Sequence, residues 1–364
     1  MRGHLIARGA CPWSFSIVTF HGLRARPPLG STVYHLNHSS LEAMERHRNG
    51  EDGRPILVTG MHRSGTSWLG RMLCAGGQFI YIPEPLNIRN RHTILPSRVK
   101  NWYTYITDDN EDLYLSFYRD VLAFRAHPIY DIKRMRLGSP RDPVRVPKRW
   151  ASLLLGRLQR RRVLIRDPFA VFSIPWFARR LGCEIVVIVR HPVAVVGSLK
   201  RLGYTFDFTN LLQQPLLMDQ RLGLFRRDME GALCSPEDVV GQGSLLWRLV
   251  YDRVANDESI TRSVHVVYHE ELSLNPVREY SQLYERLGLS FNQKARRIIE
   301  RATSERNPKE GSKTNPFSVR LDSRENLSNW RHRLDPDEAD RVLELTRDVA
   351  ARYYSGDRTP VGAS

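Results

Sequence analysis

An apolar run, a short loop bounded by two glycines and the start of a helix follow one another in Ile56-Leu57-Val58-Thr59-Gly60-Met61-His62-Arg63-Ser64-Gly65-Thr66-Ser67-Trp68-Leu69. No other stretch narrows the choice of fold as much. A strand that feeds a helix through a tight glycine turn aims backbone N–H groups and the helix N-terminus at one spot, and that spot favours a phosphate. The Gly60-x4-Gly65 spacing is that of a phosphate loop of the GxxxxGK[ST] type. Thr66 stands where that motif has its lysine, and a cation comes three residues earlier as Arg63. Without the lysine, Mg-dependent γ-phosphoryl transfer loses a standard component.

Other short runs rich in β-branched residues recur between turn signals, over 55–59, 79–82, 163–166, 184–190 and 264–268. They are continuously apolar rather than alternating, which suits parallel strands covered on both faces. Helical patterns lie between them at 66–75, 168–181, 192–200 and 245–257, and three more follow near 276–287, 292–303 and 335–354. The pairs Asn275-Pro276 and Asp335-Pro336 each place an N-cap before a first-turn proline. The expected fold class is α/β: a P-loop-containing, doubly wound parallel sheet flanked by helices, in a single catalytic domain. That domain is expected over 54–356, after an N-terminal extension of 1–53 and before a tail of 357–364. There is no internal repeat.

The string Arg63-Ser64-Gly65-Thr66-Ser67-Trp68-Leu69 after an apolar strand resembles the phosphosulfate-binding loop of sulfotransferases that use 3′-phosphoadenosine 5′-phosphosulfate (PAPS). The similar branch holds Golgi carbohydrate and tyrosylprotein sulfotransferases and their bacterial relatives, which carry Arg where cytosolic members carry Lys. A second stretch, Val187-Ile188-Val189-Arg190-His191-Pro192-Val193-Ala194-Val195-Val196-Gly197-Ser198, looks like the family's 3′-phosphate motif. Arg190 offers forked donors to a phosphate, and Ser198 adds a hydroxyl from the same side. The resemblance spans about residues 54–354 and is dense at 56–69 and 186–198. It implies that Arg63, Ser64, Gly65, Thr66, Ser67, Arg190 and Ser198 hold PAPS, whose product is adenosine 3′,5′-bisphosphate (PAP).

Three further places match more loosely. Glu84, in Tyr81-Ile82-Pro83-Glu84-Pro85-Leu86, comes 21 residues after Arg63, where related members carry the general base, and its flanking prolines restrict its backbone. His62 and His191 are competing bases, each next to an arginine of a cofactor motif. Tyr268, in Val266-Val267-Tyr268-His269-Glu270-Glu271-Leu272, is similar to a tyrosine that touches the nucleotide; stacking on adenine and ordinary strand-end packing both suit it. Asn326-Leu327-Ser328-Asn329-Trp330-Arg331 resembles the C-terminal cofactor loop, but relatives often have Lys where Asn329 stands, which leaves Lys313 or Arg320 to supply that cation.

The implied reaction is in-line sulfuryl transfer to a hydroxyl or amine, with Arg63 and the loop N–H groups stabilising charge on the leaving 5′-phosphate and Glu84 taking the acceptor proton. No metal is required in such a transfer. By family analogy the acceptor is a carbohydrate or glycolipid. A P-loop kinase or NTPase is the alternative enzyme class, its best support being Val163-Leu164-Ile165-Arg166-Asp167, which can pass for a metal-binding strand end. A non-catalytic module that holds an adenosine bisphosphate is the alternative outside enzymes.

Charge enters here. The 364 residues carry 55 Lys and Arg against 39 Asp and Glu, a net of +16, so the partner is expected to be anionic. Nucleic acid is not expected, because no recognition helix, zinc finger or RNP-type signature accompanies the basic residues. The excess concentrates in residues 125–166, where 13 Lys and Arg face only Asp131 and Asp142, a net of +11. This basic insert (125–162 without its final strand) is expected to meet an anionic acceptor or a membrane surface. Residues 1–41 hold no acid and carry Arg2, Arg8, Arg24 and Arg26, which fits an organellar transit peptide and equally a start at Met44. Cysteines 11, 74, 183 and 234 show no CxxC pair and no zinc spacing, and read as reduced, mostly buried thiols. No apolar run approaches the ~20 residues of a membrane helix, so a soluble, cytoplasmic protein is expected.

Overall fold

All five runs expected as strands form strands, and all pair in parallel. In the computed structural model, which describes residues 53–89, 99–125, 151, 154–159, 161–261, 264–311 and 319–354, β1 is Ile56–Thr59, β2 Phe79–Pro83, β3 Arg162–Arg166, β4 Glu184–Val189 and β5 Val264–Tyr268. They make one sheet in the order β2-β3-β1-β4-β5. Ile56 of β1 lies opposite Leu164 on one side and Glu184 on the other. The connection after β1 runs toward β2 and the one after β4 toward β5, in opposite directions along the sheet, so a crevice opens between the C-terminal ends of β1 and β4.

The continuous apolar runs are explained by burial on both faces. Leu57, Val163, Ile165, Ile185 and Val187 pack on one side. Ile56, Val58, Leu164, Val186 and Ile188 alternate with them and pack on the other. At about 1.5–3 kcal/mol for each fully buried aliphatic side chain, this double coverage makes the sheet the rigid base for everything at its edge.

Among the described residues the α-helices of six residues or more are α1 (Thr66–Leu73), α2 (Leu115–Leu122), α3 (Ile174–Leu181), α4 (Pro192–Leu202), α5 (Arg226–Leu233), α6 (Val239–Asn256), α7 (His269–Leu274), α8 (Pro276–Arg286), α9 (Gln293–Thr303) and α10 (Pro336–Ala350). Several depart from expectation for identifiable reasons. The single helix expected at 168–181 is a 3-10 turn, Pro168–Ser173, followed by α3. Pro175 cannot sit inside a continuous α-helix, because its nitrogen has no hydrogen to donate, and it begins α3 instead. Helix α6 starts six residues earlier than its periodicity suggested, capped by the Asp238 carboxylate, which accepts from the Gly241 N–H at 2.9 Å. Asp335 caps α10 with a full capping box shared with Glu338, whereas Asn275 holds the N-cap position of α8 without a side-chain cap bond. Helices α2, α5 and α7 were not anticipated.

Two of the 13 cations of residues 125–166 are held inside the fold. Arg162 donates to the carbonyls of Arg54 and Leu287 and to the Glu184 carboxylate, and Arg166 pairs with Glu84. Residues 126–150, 152, 153 and 160 of that insert, residues 1–52 of the extension and the tail lie outside the described residues. Of the cysteines, Cys183 is buried, Cys74 half-buried and Cys234 exposed, so burial is less general than expected. Among the described residues no helix is long and apolar enough to cross a membrane, and no cluster of three or more potential metal ligands occurs.

Candidate active site

Each strand delivers a polar residue at its C-terminal end, and these ends converge on one cleft of about 400 Å³. After β1 comes the loop 60–65, after β2 Glu84, after β3 Asp167, after β4 Arg190 and after β5 His269. The cleft is lined by His62, Arg63, Gly65, Thr66 and Ser67 from the loop and α1, by Glu84 and Asn87, and by Arg190, Ser198 and His269.

The loop needs its glycines. Gly60 has φ 139°, and a Cβ there would lie 2.5 Å from the Ile188 carbonyl oxygen. Gly65 has φ 104°, and a Cβ there would meet the His269 ring at 2.8 Å. Gly65 is also the N-cap of α1 and supplies no side-chain cap, so the first N–H groups of the helix are left for a ligand. Two buried tyrosines hold the loop from either side. The Tyr251 hydroxyl donates to the Ile188 carbonyl (2.9 Å), accepts from the Met61 N–H (3.3 Å) and meets Ser64 Oγ at 2.7 Å. The Tyr103 hydroxyl accepts from the His62 N–H at 3.3 Å and lies 2.6 Å from His62 Nδ1. Ser64 therefore turns its side chain to the core.

The two motifs expected to hold phosphates meet directly: Arg63 Nε donates to Ser198 Oγ at 3.1 Å. Arg190 is buried beside them. Its terminal nitrogens donate to the Arg63 carbonyl (3.3 Å) and the Asn326 carbonyl (3.5 Å), while its Nε has no partner among the described residues. Burial pulls Arg190 down to about 10; Glu270 opposes that, and Arg333 and Arg63 add to it. Burial likewise lowers Arg63, with Arg201 and Arg333 pushing the same way. Arg201 and Arg333 line the cleft too, sharing the Glu310 carboxylate at 3.7 and 3.0 Å. Four guanidinium groups crowd one concavity, and an anion bound there relieves their mutual repulsion.

Glu84 sits in the cleft wall with φ 45°. Its Oε1 pairs with Arg166, and its Oε2 accepts from Asn87 Nδ2 at 2.6 Å. Among the described residues four non-glycines have positive φ, and three of them, Arg63, Glu84 and Tyr103, belong to this cleft or support it. Such backbone costs of order 1–3 kcal/mol at each residue and persists where the surroundings over-determine it, commonly at functional sites. Asp167 is fully buried and accepts from the N–H groups of Leu86 (2.6 Å) and Phe169 (2.9 Å). One oxygen ties the segment after Glu84 to the end of β3 and the other caps the 3-10 turn Pro168–Ser173, so both are engaged in structural bonds.

Other expected residues fall elsewhere. Tyr268 does not line the cleft; its ring packs edge-on against Tyr354 at 5.9 Å, and the next residue, His269, reaches the cleft instead. Arg320 is exposed and outside the cleft, although its neighbours Val319 and Leu321 line it, and Lys313 lies outside the described residues. Asn329 is buried and donates to the Lys309 carbonyl at 2.8 Å. Of the supporting residues not anticipated, Arg201 follows Ser198 by three positions on α4 and so shares its face, a signal the sequence carries. Tyr103 and Tyr251 have none, because their partners lie 41 and up to 190 residues away.

A family model described as the sulfotransferase family matches residues 55–293. Solved structures that match include the sulfotransferase domain from the curacin biosynthetic pathway, with 14% identity and a TM-score of 0.40 over 80% of this chain and 97% of that one. A mouse sulfotransferase complexed with PAP matches with 14% identity and a TM-score of 0.37 over 87% and 95%. The sulfotransferase domain of the Synechococcus PCC 7002 olefin synthase matches with 16% identity and a TM-score of 0.40 over 80% and 94%. No curated protein matches the chain.

Proposed function

The chain belongs to the sulfotransferase family, and from that premise we propose that it transfers the sulfuryl group of PAPS to a hydroxyl or amine of an acceptor, with Glu84 as general base. The observation that carries this reading is the Arg63–Ser198 hydrogen bond beside a buried Arg190 whose Nε lacks a partner among the described residues. A buried donor in that state calls for an anionic acceptor.

The donor set fits an adenosine bisphosphate with a phosphosulfate arm. The N–H groups at the start of α1, Thr66, Ser67 and Arg63 would hold the 5′-phosphosulfate, and Arg190 and Ser198 the 3′-phosphate. PAPS supplies an activated sulfuryl group on a good leaving group. Arg63 would stabilise charge growing on the leaving phosphate, in a site organised before the ligand arrives. Glu84, whose carboxylate stands in the cleft wall, would accept the acceptor's proton.

The competing bases are less well placed. His191 is buried with its ring against Tyr354 and is absent from the cleft wall, and His62 Nδ1 is already engaged with the Tyr103 hydroxyl at 2.6 Å. For the acceptor, a carbohydrate or glycolipid hydroxyl is the reading that family analogy supports. The aromatic rings of Trp102, Phe169, Tyr204 and Phe206 in the cleft offer apolar faces for its carbon skeleton.

Calorimetric titration with PAP, with and without Mg²⁺, and with ATP tests the cofactor. Tight binding of PAP that is independent of metal is expected. A preference for Mg-ATP would overturn the proposal.

A further inference from the structure

Two hydrogen bonds on one tyrosine oxygen decide where a cleft histidine carries its hydrogen. Tyr103 is fully buried, and its oxygen lies 3.3 Å from the His62 backbone nitrogen and 2.6 Å from His62 Nδ1. The backbone N–H can only donate, so the tyrosine oxygen accepts there. The phenolic hydrogen then needs an acceptor of its own, and Nδ1 is the one within reach among the described residues. A buried hydroxyl hydrogen without an acceptor is strongly disfavoured.

The charge states agree with this geometry. Burial raises Tyr103 well above the ordinary phenol range, so it keeps its proton at neutral pH. Burial, with the Arg63 charge second, lowers His62 to about 4, so the ring is neutral. Nδ1 is then the bare nitrogen, and the hydrogen sits on Nε2. His62 lines the cleft with Arg63 and Glu84, and no hydrogen bond to its Nε2 occurs among the described residues. Phe169 flanks the ring, with centroids 6.2 Å apart.

We infer that the Nε2–H of neutral His62 donates a hydrogen bond to an oxygen of the sulfuryl group in transfer, and that Tyr103 is the positioning residue that holds this tautomer. The inference rests on the reaction proposed above. During transfer the acceptor oxygen bonds to sulfur as the bond between sulfur and the 5′-phosphate oxygen breaks. The acceptor proton passes to Glu84, the electron pair leaves with the bisphosphate, and His62 keeps its hydrogen throughout. A histidine in this state cannot be the base. It is a fixed neutral dipole that gives direction without adding charge to a cleft already holding Arg63, Arg190, Arg201 and Arg333.

Two readouts on the full chain test this. Nitrogen-15-edited spectra of the ligand-free protein at neutral pH should show His62 protonated on Nε2 alone, and both tautomers in Tyr103→Phe; a hydrogen on Nδ1 in the wild type overturns the inference. Titrations then compare PAPS with PAP, which lacks the sulfuryl group. His62→Ala should weaken PAPS about tenfold and PAP less than about twofold, as expected for one hydrogen bond to a charged group. His62→Gln, which returns an N–H near the Nε2 position, should restore most of the loss. Equal losses on both ligands, or none on either, overturn the inference. If the wild type binds neither ligand, the sulfotransferase reading falls with it, and that failure is visible before any variant is compared.

Discussion

Arg63 Nε donates to Ser198 Oγ across 3.1 Å, although the two residues are 135 positions apart. One sits in a glycine-bounded loop after β1 and the other on α4 after β4, and these strands are neighbours in the sheet. Their contact joins the two motifs in one cleft. Arg63→Ala should weaken PAP binding about 100-fold and Ser198→Ala about tenfold, with the double variant losing less than the product. Additive free energies in calorimetric titration, within about 0.5 kcal/mol, would mean that the contact does not couple the two halves.

Arg190 is a buried cation whose Nε has no partner among the described residues, so its burial is expected to oppose stability in the ligand-free protein. Arg190→Met should stabilise the free chain by about 1–3 kcal/mol and remove the rise in melting temperature that PAP produces. Scanning calorimetry with and without PAP measures both. A free variant that melts well below the wild type would contradict this account.

Glu84→Gln keeps the side-chain shape, the acceptor oxygen for one partner and the ligand pocket, but loses the basic carboxylate. Turnover with labelled PAPS across a panel of sugar and glycolipid acceptors should fall by at least ~100-fold, with PAP affinity unchanged. Unchanged turnover would remove Glu84 from its role.

Asp167 accepts two backbone N–H bonds in a fully buried position. An asparagine there has one acceptor oxygen, so one N–H goes unpaired at a cost of about 1–3 kcal/mol. Asp167→Asn should lower stability by that amount in urea unfolding at neutral pH. A metal-binding carboxylate would instead tolerate the change in the absence of metal, and an unaltered midpoint would argue for that.

His191 is held near a pKa of about 4 by burial, against 6.5 for the free side chain. Between those values the unfolded chain binds a proton that the folded chain does not, so stability rises with pH and is lost as pH falls. Going from pH 7 to pH 5 this residue should cost about 2 kcal/mol. His191→Phe keeps the edge-on ring contact with Tyr354 and should flatten the pH dependence by that amount in urea unfolding. An identical slope in both proteins would refute it.

Much of the fold was legible because it depends on local signals. Continuous apolar runs identified all five strands, and Asp335-Pro336 marked the start of α10. Boundaries failed where one residue overrides a pattern, as Pro175 does in splitting 168–181 into a turn and a helix. At the site, the loop 60–65, Glu84, Arg190 and Ser198 were all found in the sequence and all line the cleft or build its loop. Tyr268 and Arg320 were placed there by analogy with a motif, but on an edge strand and in an irregular segment a one-residue change of direction decides which side chain faces in. His269, Val319 and Leu321 face in instead.

The sequence by itself determined the parallel α/β class, the phosphate loop and its lack of a lysine. Each follows from neighbouring residues, through β-branched runs, glycine spacing and helix starts. Only the tertiary structure decided that Arg63 reaches Ser198, that Arg201 and Arg333 line the same cleft, and that Tyr103 and Tyr251 clamp the loop. Hydrogen bonds and charges act over a few ångströms in space, whatever the separation along the chain. The order of strands, with β1 between β3 and β4, is what brings those distant groups within that range.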